Sequence, residues 1–165
     1  LDFPNDEVKC GFATAVATGY LQPKSLVLSD LAQMVRSLAA ADLAALCRQL
    51  TSFFASIPYT MRRKDTEQER ERYFHYTFYL IFRILSTYLV LTEKQQSEGR
   101  ADCIIETPKD IFIFEFKLDG TANEALRQIE SRGYARPYEA DMRHIYLVGA
   151  SFSSKTGTIE EWKVK

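Results

Sequence analysis

The sequence is poor in the residue types from which several common functional sites are built. Its three cysteines, Cys10, Cys47 and Cys103, are scattered without metal-binding spacing and odd in number, which suits a reducing cytoplasm. No GxxxxGK[ST] phosphate loop occurs, so these residues contain no P-loop ATPase. No apolar run is long enough to span a membrane, and we therefore expect a cytoplasmic protein without a membrane partner.

Charge of one sign is also lacking, since the formal net charge is only −1. A chain with this balance has no global positive field to attract nucleic acid, which counts against a tight, non-specific DNA binder. What the chain has instead is apolar content: 46% of its 165 residues are hydrophobic and 13% are aromatic. This composition argues against disorder and allows one domain with a sizeable core. Because the first residue is Leu1 rather than Met, we expect a C-terminal fragment of a longer protein.

The first 60 residues predict a helical extension that packs on a core formed by residues 61–165. Apolar residues recur there at helical spacing, with Ser29 or Asp30 and then Asp42 as N-caps. From Asp65 or Thr66 a long helix is predicted, charged at first and apolar on most sides thereafter. The extension is explained by packing alone, or it docks a neighbouring domain.

The most informative stretch is 99–118, GRADCIIETPKDIFIFEFKL, in which two apolar runs flank a TPKD turn. This pattern predicts a β-hairpin. Side chains alternate faces along a strand, so the second run has one buried apolar face and one face that carries Glu115 and Lys117. A turn symmetric about 108–109 places Asp102 opposite Glu115, with Cβ atoms roughly 4.5–5.5 Å apart. Two carboxylates so close repel each other unless a hard divalent cation such as Mg²⁺ lies between them.

After the hairpin, Thr121 and Glu124 fit a capping box that opens a helix ending near Gly133. Residues 145–149 read as a buried strand, and 157–165 read as an edge strand. Residues 91–98 are a further candidate edge strand. The succession predicts an α/β protein with a central mixed sheet flanked by helices.

Asp102 in GRAD and Glu115–Lys117 in FEFK resemble the core of the PD-(D/E)XK nuclease superfamily, although Ala101 stands where the superfamily usually has Pro. Six blocks, LDFPNDEV, FFASIPY, ERYFHYTFYLIF, GRADCIIET, IFEFKLDGTANEALRQI and GYARPY, are together similar to one bacterial family of that superfamily. The resemblance implies an αβββαβ restriction-endonuclease-like core. It also implies an AAA-type ATPase-like domain in the same longer chain.

The resemblance assigns roles to single residues. Asp102 and Glu115 would hold Mg²⁺ or Mn²⁺ with the backbone carbonyl of Phe116, and Lys117 would act on the water or the phosphate. A carboxylate on the first core helix often adds a ligand, which we carry to Glu71, with Glu67 and Glu69 as rivals.

Other candidates come from the residues around these. His75 would contact the site or a phosphate, or is simply a core histidine. Gln128 would orient a water or a substrate group, or is an exposed helix amide. Arg127 and Tyr134 are candidate substrate contacts. Arg127 belongs to a set of arginines that clamps phosphates or forms a mixed-charge surface, namely Arg127, Arg132, Arg136 and Arg143.

The leading interpretation is a metal-dependent phosphodiester hydrolase acting on nucleic acid, with DNA favoured over RNA and a homodimer possible. The alternative is a non-cleaving nucleic-acid-binding or regulatory module that serves an ATPase-like neighbour. Near-neutral charge favours the alternative, whereas retention of the Asp, Glu and Lys residues opposes it. A third interpretation, in which this cluster is only structural, is weakest because paired carboxylates would destabilise the sheet without return.

Overall fold

The computed structural model of the protein describes residues 28–56, 81 and 101–165. These residues belong to two compact units, one containing 28–56 and Ile81 and the other containing 101–165. The domain boundary predicted at 60/61 lies outside the described residues, as does the candidate strand at 91–98. No helix in the described ranges is long and apolar enough to cross a membrane.

The first unit contains two consecutive helices, α1 (Leu28–Ala39) and α2 (Leu43–Ser56). Helix α1 begins at Leu28, so Ser29 and Asp30 lie inside its first turn and the predicted N-cap is wrong by two or three residues. The N-cap of α2 is confirmed, because the Asp42 carboxylate accepts a 2.9 Å hydrogen bond from the Ala45 N–H. The apolar stripes of the two helices are buried at Met34, Leu38, Leu43, Leu46, Leu50 and Phe54. Ile81, within the predicted long helix, is helical and buried.

The second unit is a four-stranded mixed sheet in the order β1-β2-β3-β4. The strands are β1 (Cys103–Glu106), β2 (Asp110–Leu118), β3 (His144–Phe152) and β4 (Ile159–Val164). Strand β2 pairs antiparallel with β1 and parallel with β3, and β3 pairs antiparallel with β4. The parallel pair requires a crossover, and helix α3 (Ala122–Ser131) provides it, followed by a 3₁₀ turn at Arg136–Tyr138. The α/β class and the restriction-endonuclease-like core predicted from the sequence are confirmed.

The hairpin of β1 and β2 has the predicted register. Cys103 pairs with Phe114 and Glu106 pairs with Ile111, so the next pair outward is Asp102 with Glu115. The turn is closed by Thr107, whose N–H donates to the Asp110 carbonyl at 2.8 Å and whose hydroxyl accepts the Asp110 N–H at 2.9 Å. The Thr107 hydroxyl thus replaces a backbone carbonyl as the acceptor of the Asp110 N–H. The turn then determines which residues pair further along the two strands.

Helix α3 is held at both ends by the predicted signals. At its start the Thr121 hydroxyl accepts the Glu124 N–H, and the Glu124 carboxylate accepts the Thr121 N–H at 2.8 Å. At its end Gly133 has φ +65, and the N–H groups of Gly133 and Tyr134 bond the carbonyls of Glu130 and Ile129. These bonds form a capping box and a Schellman motif.

Both faces of β2 are buried, since Ile111 to Phe116 are all at most 5% exposed. One face belongs to a hydrophobic cluster with α3 and the 3₁₀ turn, formed by Ala101, Ile104, Ile111, Ile113, Ile129, Tyr134 and Tyr138. The opposite face is an aromatic layer in which Phe112 stacks on Tyr146 and Phe116 meets Phe152 edge-on. The expectation that the phenylalanine row is buried is confirmed.

Candidate active site

Three of the predicted site residues meet where the hairpin strands part. Asp102 directly precedes β1, and its Oδ2 accepts a 2.8 Å hydrogen bond from the Phe116 N–H across the strands. Glu115 is 2% exposed, and its Oε1 lies 3.6 Å from the Nζ of Lys117. The side chain of Lys117 is 29% exposed, so the cluster extends from the protein interior to solvent. Because Glu115 and Lys117 share a strand face, this arrangement follows from their spacing of two.

Helix α3 adds a fourth side chain to this cluster. The amide nitrogen of Gln128 donates to Oε1 of Glu115, and its amide oxygen accepts from the Lys117 ammonium. Gly149 lies on β3, where it pairs with Glu115 of β2. Because Gly149 has no side chain, helix α3 can come close to the sheet at this position. A Cβ on Gly149 would clash with the Ala122 carbonyl oxygen and lie 3.1 Å from the Leu126 nitrogen.

The charge on Glu115 is poorly accommodated. Burial, followed by the nearby Asp102 carboxylate, raises the pKa of Glu115 from 4.5 to about 7, against the opposing effect of Lys117. Its Oε2 is buried and accepts no hydrogen bond from any of the described side chains or backbone groups. Buried polar atoms are normally satisfied, so an orphaned carboxylate oxygen beside a second carboxylate needs a partner.

The donor set fits a hard divalent cation. Carboxylates from two neighbouring strands supply the oxygen ligands that Mg²⁺ and Mn²⁺ prefer, and Oε2 of Glu115 accepts no hydrogen bond within the described residues. The Phe116 side chain points into the aromatic layer, so only its backbone carbonyl is available as the predicted ligand.

The described ranges do not contain a complete metal centre. Within 28–56, 81 and 101–165, no three His, Cys, Asp or Glu side chains group closely enough to hold a metal. The predicted third carboxylate, Glu71, lies outside the described residues, as do its rivals Glu67 and Glu69 and the candidate substrate contact His75. Their roles stay predictions.

The structure does not bring the remaining candidates into the carboxylate cluster. Arg127 is exposed on α3, next to Gln128. Tyr134 is 3% exposed and packs in the hydrophobic cluster, so it presents almost no surface to a substrate. Its substrate role stays a prediction. Arg143 pairs with Asp141 at 2.7 Å and with Glu106 at 2.8 Å, which is the mixed-charge alternative rather than the phosphate clamp.

Two features of the site were missed from the sequence. One is the bridging position of Gln128, which the sequence analysis treats as a water or substrate contact. The other is Gly149, whose signal is a lone glycine inside the apolar run IYLVGA. A glycine within a strand indicates close approach of another backbone, and here that backbone belongs to α3.

A mixed sheet with Asp just before one hairpin strand and Glu-x-Lys on the next strand is typical of the restriction-endonuclease-like class of folds. A family model described as the PD-(D/E)XK nuclease superfamily matches residues 69–162, more than half of the chain. The chain therefore belongs to the PD-(D/E)XK nuclease superfamily.

A curated relative carries no functional description. It is a protein of Azotobacter chroococcum mcd 1 described as an uncharacterized protein in the vnfD 5′ region, 33% identical over 161 residues. The match covers 96% of this chain but 31% of the relative, so the chain spans about a third of that protein's length. No solved structure matches the chain.

Proposed function

We propose that the protein is a metal-dependent nuclease that hydrolyses phosphodiester bonds in nucleic acid, with DNA favoured over RNA. The observation that carries the proposal is the buried Glu115 carboxylate, set beside Asp102 with one oxygen unpartnered in the described residues and an ammonium at its other oxygen. Superfamily membership supports a nuclease, and the chemistry of this cluster supports the metal dependence.

Asp102 and Glu115 would hold the cation with the Phe116 carbonyl, and we assign the additional ligand to Glu71. When bound, Mg²⁺ or Mn²⁺ supplies Lewis-acid polarisation of the scissile phosphate and lowers the pKa of a bound water. Asp102 is prepared for this role because its other oxygen is fixed by the Phe116 N–H at 2.8 Å. The two carboxylates are thus held by the strands themselves rather than by a loop.

Lys117 supplies positive charge where negative charge develops on the phosphate. Its neighbours are a Glu115 carboxylate oxygen at 3.6 Å and the amide oxygen of Gln128. A charged lysine stabilises the phosphate in the transition state and is a poor base, so we assign Lys117 to electrostatic stabilisation. Arg127 and His75 are proposed contacts to flanking phosphates.

The proposal extends to the longer protein. A relative three times as long as the matched segment leaves room for the ATPase-like domain that the resemblance predicts. In that arrangement the nuclease domain works beside an ATPase-like partner in the same chain. We include a homodimer in this proposal, because cleavage of both strands of a duplex requires two cuts.

The test is cleavage of duplex DNA, single-stranded DNA and RNA in Mg²⁺ or Mn²⁺, beside calorimetric titration of each metal. Asp102→Asn should lose metal binding, and Lys117→Ala should lose cleavage while it keeps metal binding. The controls Asp30→Asn and Lys155→Ala change exposed residues of the same types. A Lys117→Ala variant with the wild-type rate, or a wild type that binds nucleic acid with Mg²⁺ and never cuts it, would replace this proposal with the non-cleaving module.

A further inference from the structure

Gln128 occupies an unusual position for a helix glutamine, because both ends of its amide are used inside one charged cluster. Its nitrogen donates to Oε1 of Glu115, and its oxygen accepts from Nζ of Lys117. A primary amide has a donor end and an acceptor end, so only one orientation satisfies a carboxylate on one side and an ammonium on the other. The two partners therefore fix the amide, and the amide in turn fixes the two partners.

We propose that Gln128 is a positioning residue that reserves Oε2 of Glu115 for the divalent cation and keeps Lys117 away from it. This inference rests on the proposed nuclease function and adds a residue that assembles its site. It assigns Gln128 no contact with water or substrate, in contrast to the role predicted from the sequence. One oxygen of Glu115 serves the protein, and the other serves the cation.

The competition that Gln128 prevents is between Lys117 and the cation for the same carboxylate. The Lys117 ammonium lies 3.6 Å from Oε1 of Glu115, longer than a hydrogen bond, because its bond is made to the Gln128 oxygen instead. The side chain of Lys117 is long and partly exposed, so without that acceptor it can swing to a direct bond with the buried carboxylate. Such a bond would neutralise Glu115 and occupy the lone pairs that a cation needs.

The backbone that carries Gln128 is held firmly enough for this task. Side chains of β4 and of Lys165, which follows it, bond α3: Glu161 accepts the Ala122 N–H, Lys163 donates to Asn123, and Lys165 donates to Glu130. The close approach over Gly149 restricts movement of α3 relative to the sheet, and the capping box fixes where the helix starts. Precise support of this kind is what distinguishes a positioned ligand from one left loose.

The experiment compares wild type with Gln128→Met and Gln128→Asn. Methionine keeps the length and removes both hydrogen bonds, whereas asparagine keeps the amide but is one methylene too short to bridge both partners. Gln33→Met, at an exposed position of α1, controls for the exchange itself. The readouts are Mn²⁺ affinity by calorimetry, thermal unfolding without metal, and single-turnover cleavage of duplex DNA across a Mn²⁺ series.

We expect both Gln128 variants to fold, to bind Mn²⁺ about 10- to 100-fold more weakly, and to lose cleavage that added Mn²⁺ restores only in part. Restoration is only partial because Lys117 stays misplaced even after added Mn²⁺ fills the cation site. A purely structural glutamine would instead lower the melting temperature and leave the Mn²⁺ affinity of the folded protein unchanged, and that result overturns the inference.

Other outcomes separate the inference from the function on which it rests. Wild-type Mn²⁺ affinity in Gln128→Asn would overturn the bridging role while the nuclease assignment stands. A wild type that neither binds Mn²⁺ nor cleaves would overturn the nuclease assignment and this inference together. If Gln128→Met does not fold, the asparagine variant decides between these results.

Discussion

The two ends of the hairpin each bury a glutamate, and the two carboxylates have opposite surroundings. At the turn end Glu106 is 8% exposed, with Oε2 2.8 Å from the Arg143 guanidinium and Oε1 accepting from the Tyr138 hydroxyl at 3.3 Å. Arg143 also bonds Asp141 and the Thr107 carbonyl. At the open end Glu115 has a second carboxylate as neighbour and an oxygen without a partner in the described residues.

The difference indicates that the charges around Glu106 stabilise the fold, whereas the charges around Glu115 serve the proposed chemistry. Burial, together with Glu106, raises the pKa of Tyr138 to about 12, so its hydroxyl remains a donor, and the guanidinium offsets the charge of the carboxylates beside it. Both carboxylates at that end bond the same guanidinium, as a structural network requires. At the Glu115 end a buried carboxylate lies beside a second carboxylate and has one oxygen that accepts no hydrogen bond in the described residues, and a perturbed carboxylate of this kind is typical of functional sites.

Exchanging each glutamate for glutamine gives the largest expected contrast between the two ends. Glu115→Gln should lower cleavage on the order of 10³-fold, because it removes a charged ligand from the site. It should also raise the stability of the metal-free protein at pH 8, because it removes a buried and poorly paired charge. The measurements are single-turnover cleavage and urea unfolding of both variants.

Glu106→Gln is the matched control, since it is the same exchange on the same hairpin. It should destabilise by about 1–2 kcal/mol, because Arg143 loses a charged partner, and should leave the rate per folded molecule unchanged. If the two variants behaved alike, the contrast between the ends of the hairpin would have no functional meaning.

The pH dependence of stability sharpens the comparison, because it isolates Glu115. Its pKa is raised from 4.5 to about 7, so the folded protein holds this proton more tightly than the unfolded chain does. Below pH 4.5 the carboxyl is protonated in both states and costs nothing. Between pH 4.5 and 7 the unfolded chain loses the proton first, so the contribution of Glu115 to the free energy of unfolding falls by about 3 kcal/mol and then stays constant above pH 7.

The measurement is urea unfolding of wild type and Glu115→Gln from pH 4 to 8 in a chelator, with the difference between the two curves taken at each pH. We expect wild type to lose stability relative to the variant across that window, and added Mn²⁺ to reverse the loss above pH 7. A difference that does not change with pH would show that Glu115 is not a strained carboxylate.

At the turn end, removing the cation should act on stability alone. Arg143→Met keeps the alkyl stem and deletes the guanidinium, leaving Glu106 and Asp141 without their shared partner. We expect a loss of about 2 kcal/mol in urea unfolding, with no change in cleavage by the folded protein. Arg127→Met, on the exposed side of α3, should change stability by less than about 0.5 kcal/mol. A phosphate-clamping Arg143 would show the reverse pattern, with weaker substrate binding at unchanged stability.

The parts of the fold that follow from neighbouring residues were predictable. The turn fixes the hairpin register, and Thr121, Glu124 and Gly133 mark the ends of α3, because capping and turn signals act over three or four residues. The pairing of Asp102 with Glu115 follows from that register and the strand period. These interactions are local, so the sequence contains all of the information they need.

The rest depends on contacts between distant segments. Arg143 meets Glu106 because the parallel pairing of β2 with β3 brings the start of β3 beside the turn, and no local pattern states that pairing. Gln128 bridges Glu115 and Lys117 only because α3 packs over β2 with one particular rotation about its axis and one particular position along the strand. Spacing alone did not distinguish the four arginines at 127, 132, 136 and 143, and only the packed structure shows that Arg143 pairs with Glu106 and Asp141.

Substitution of Gly149 is expected to give the smallest loss of cleavage rate. It is also the most direct test of how helix α3 positions the Glu115 end of the hairpin. Gly149→Ala places a methyl group against the Ala122 carbonyl oxygen, so α3 must move outward and carry Gln128 with it. We expect a loss of about 1–2 kcal/mol in urea unfolding and a fall in cleavage on the order of tenfold. Gly157→Ala, which strains a glycine at φ +69 in the turn before β4, should cost similar stability without the fall in cleavage. Combining Gly149→Ala with Leu126→Ala relieves the side-chain contact but not the contact with the Ala122 backbone, so it should not restore the rate. Full restoration would show that the distance between the α3 backbone and the sheet does not set the position of Gln128.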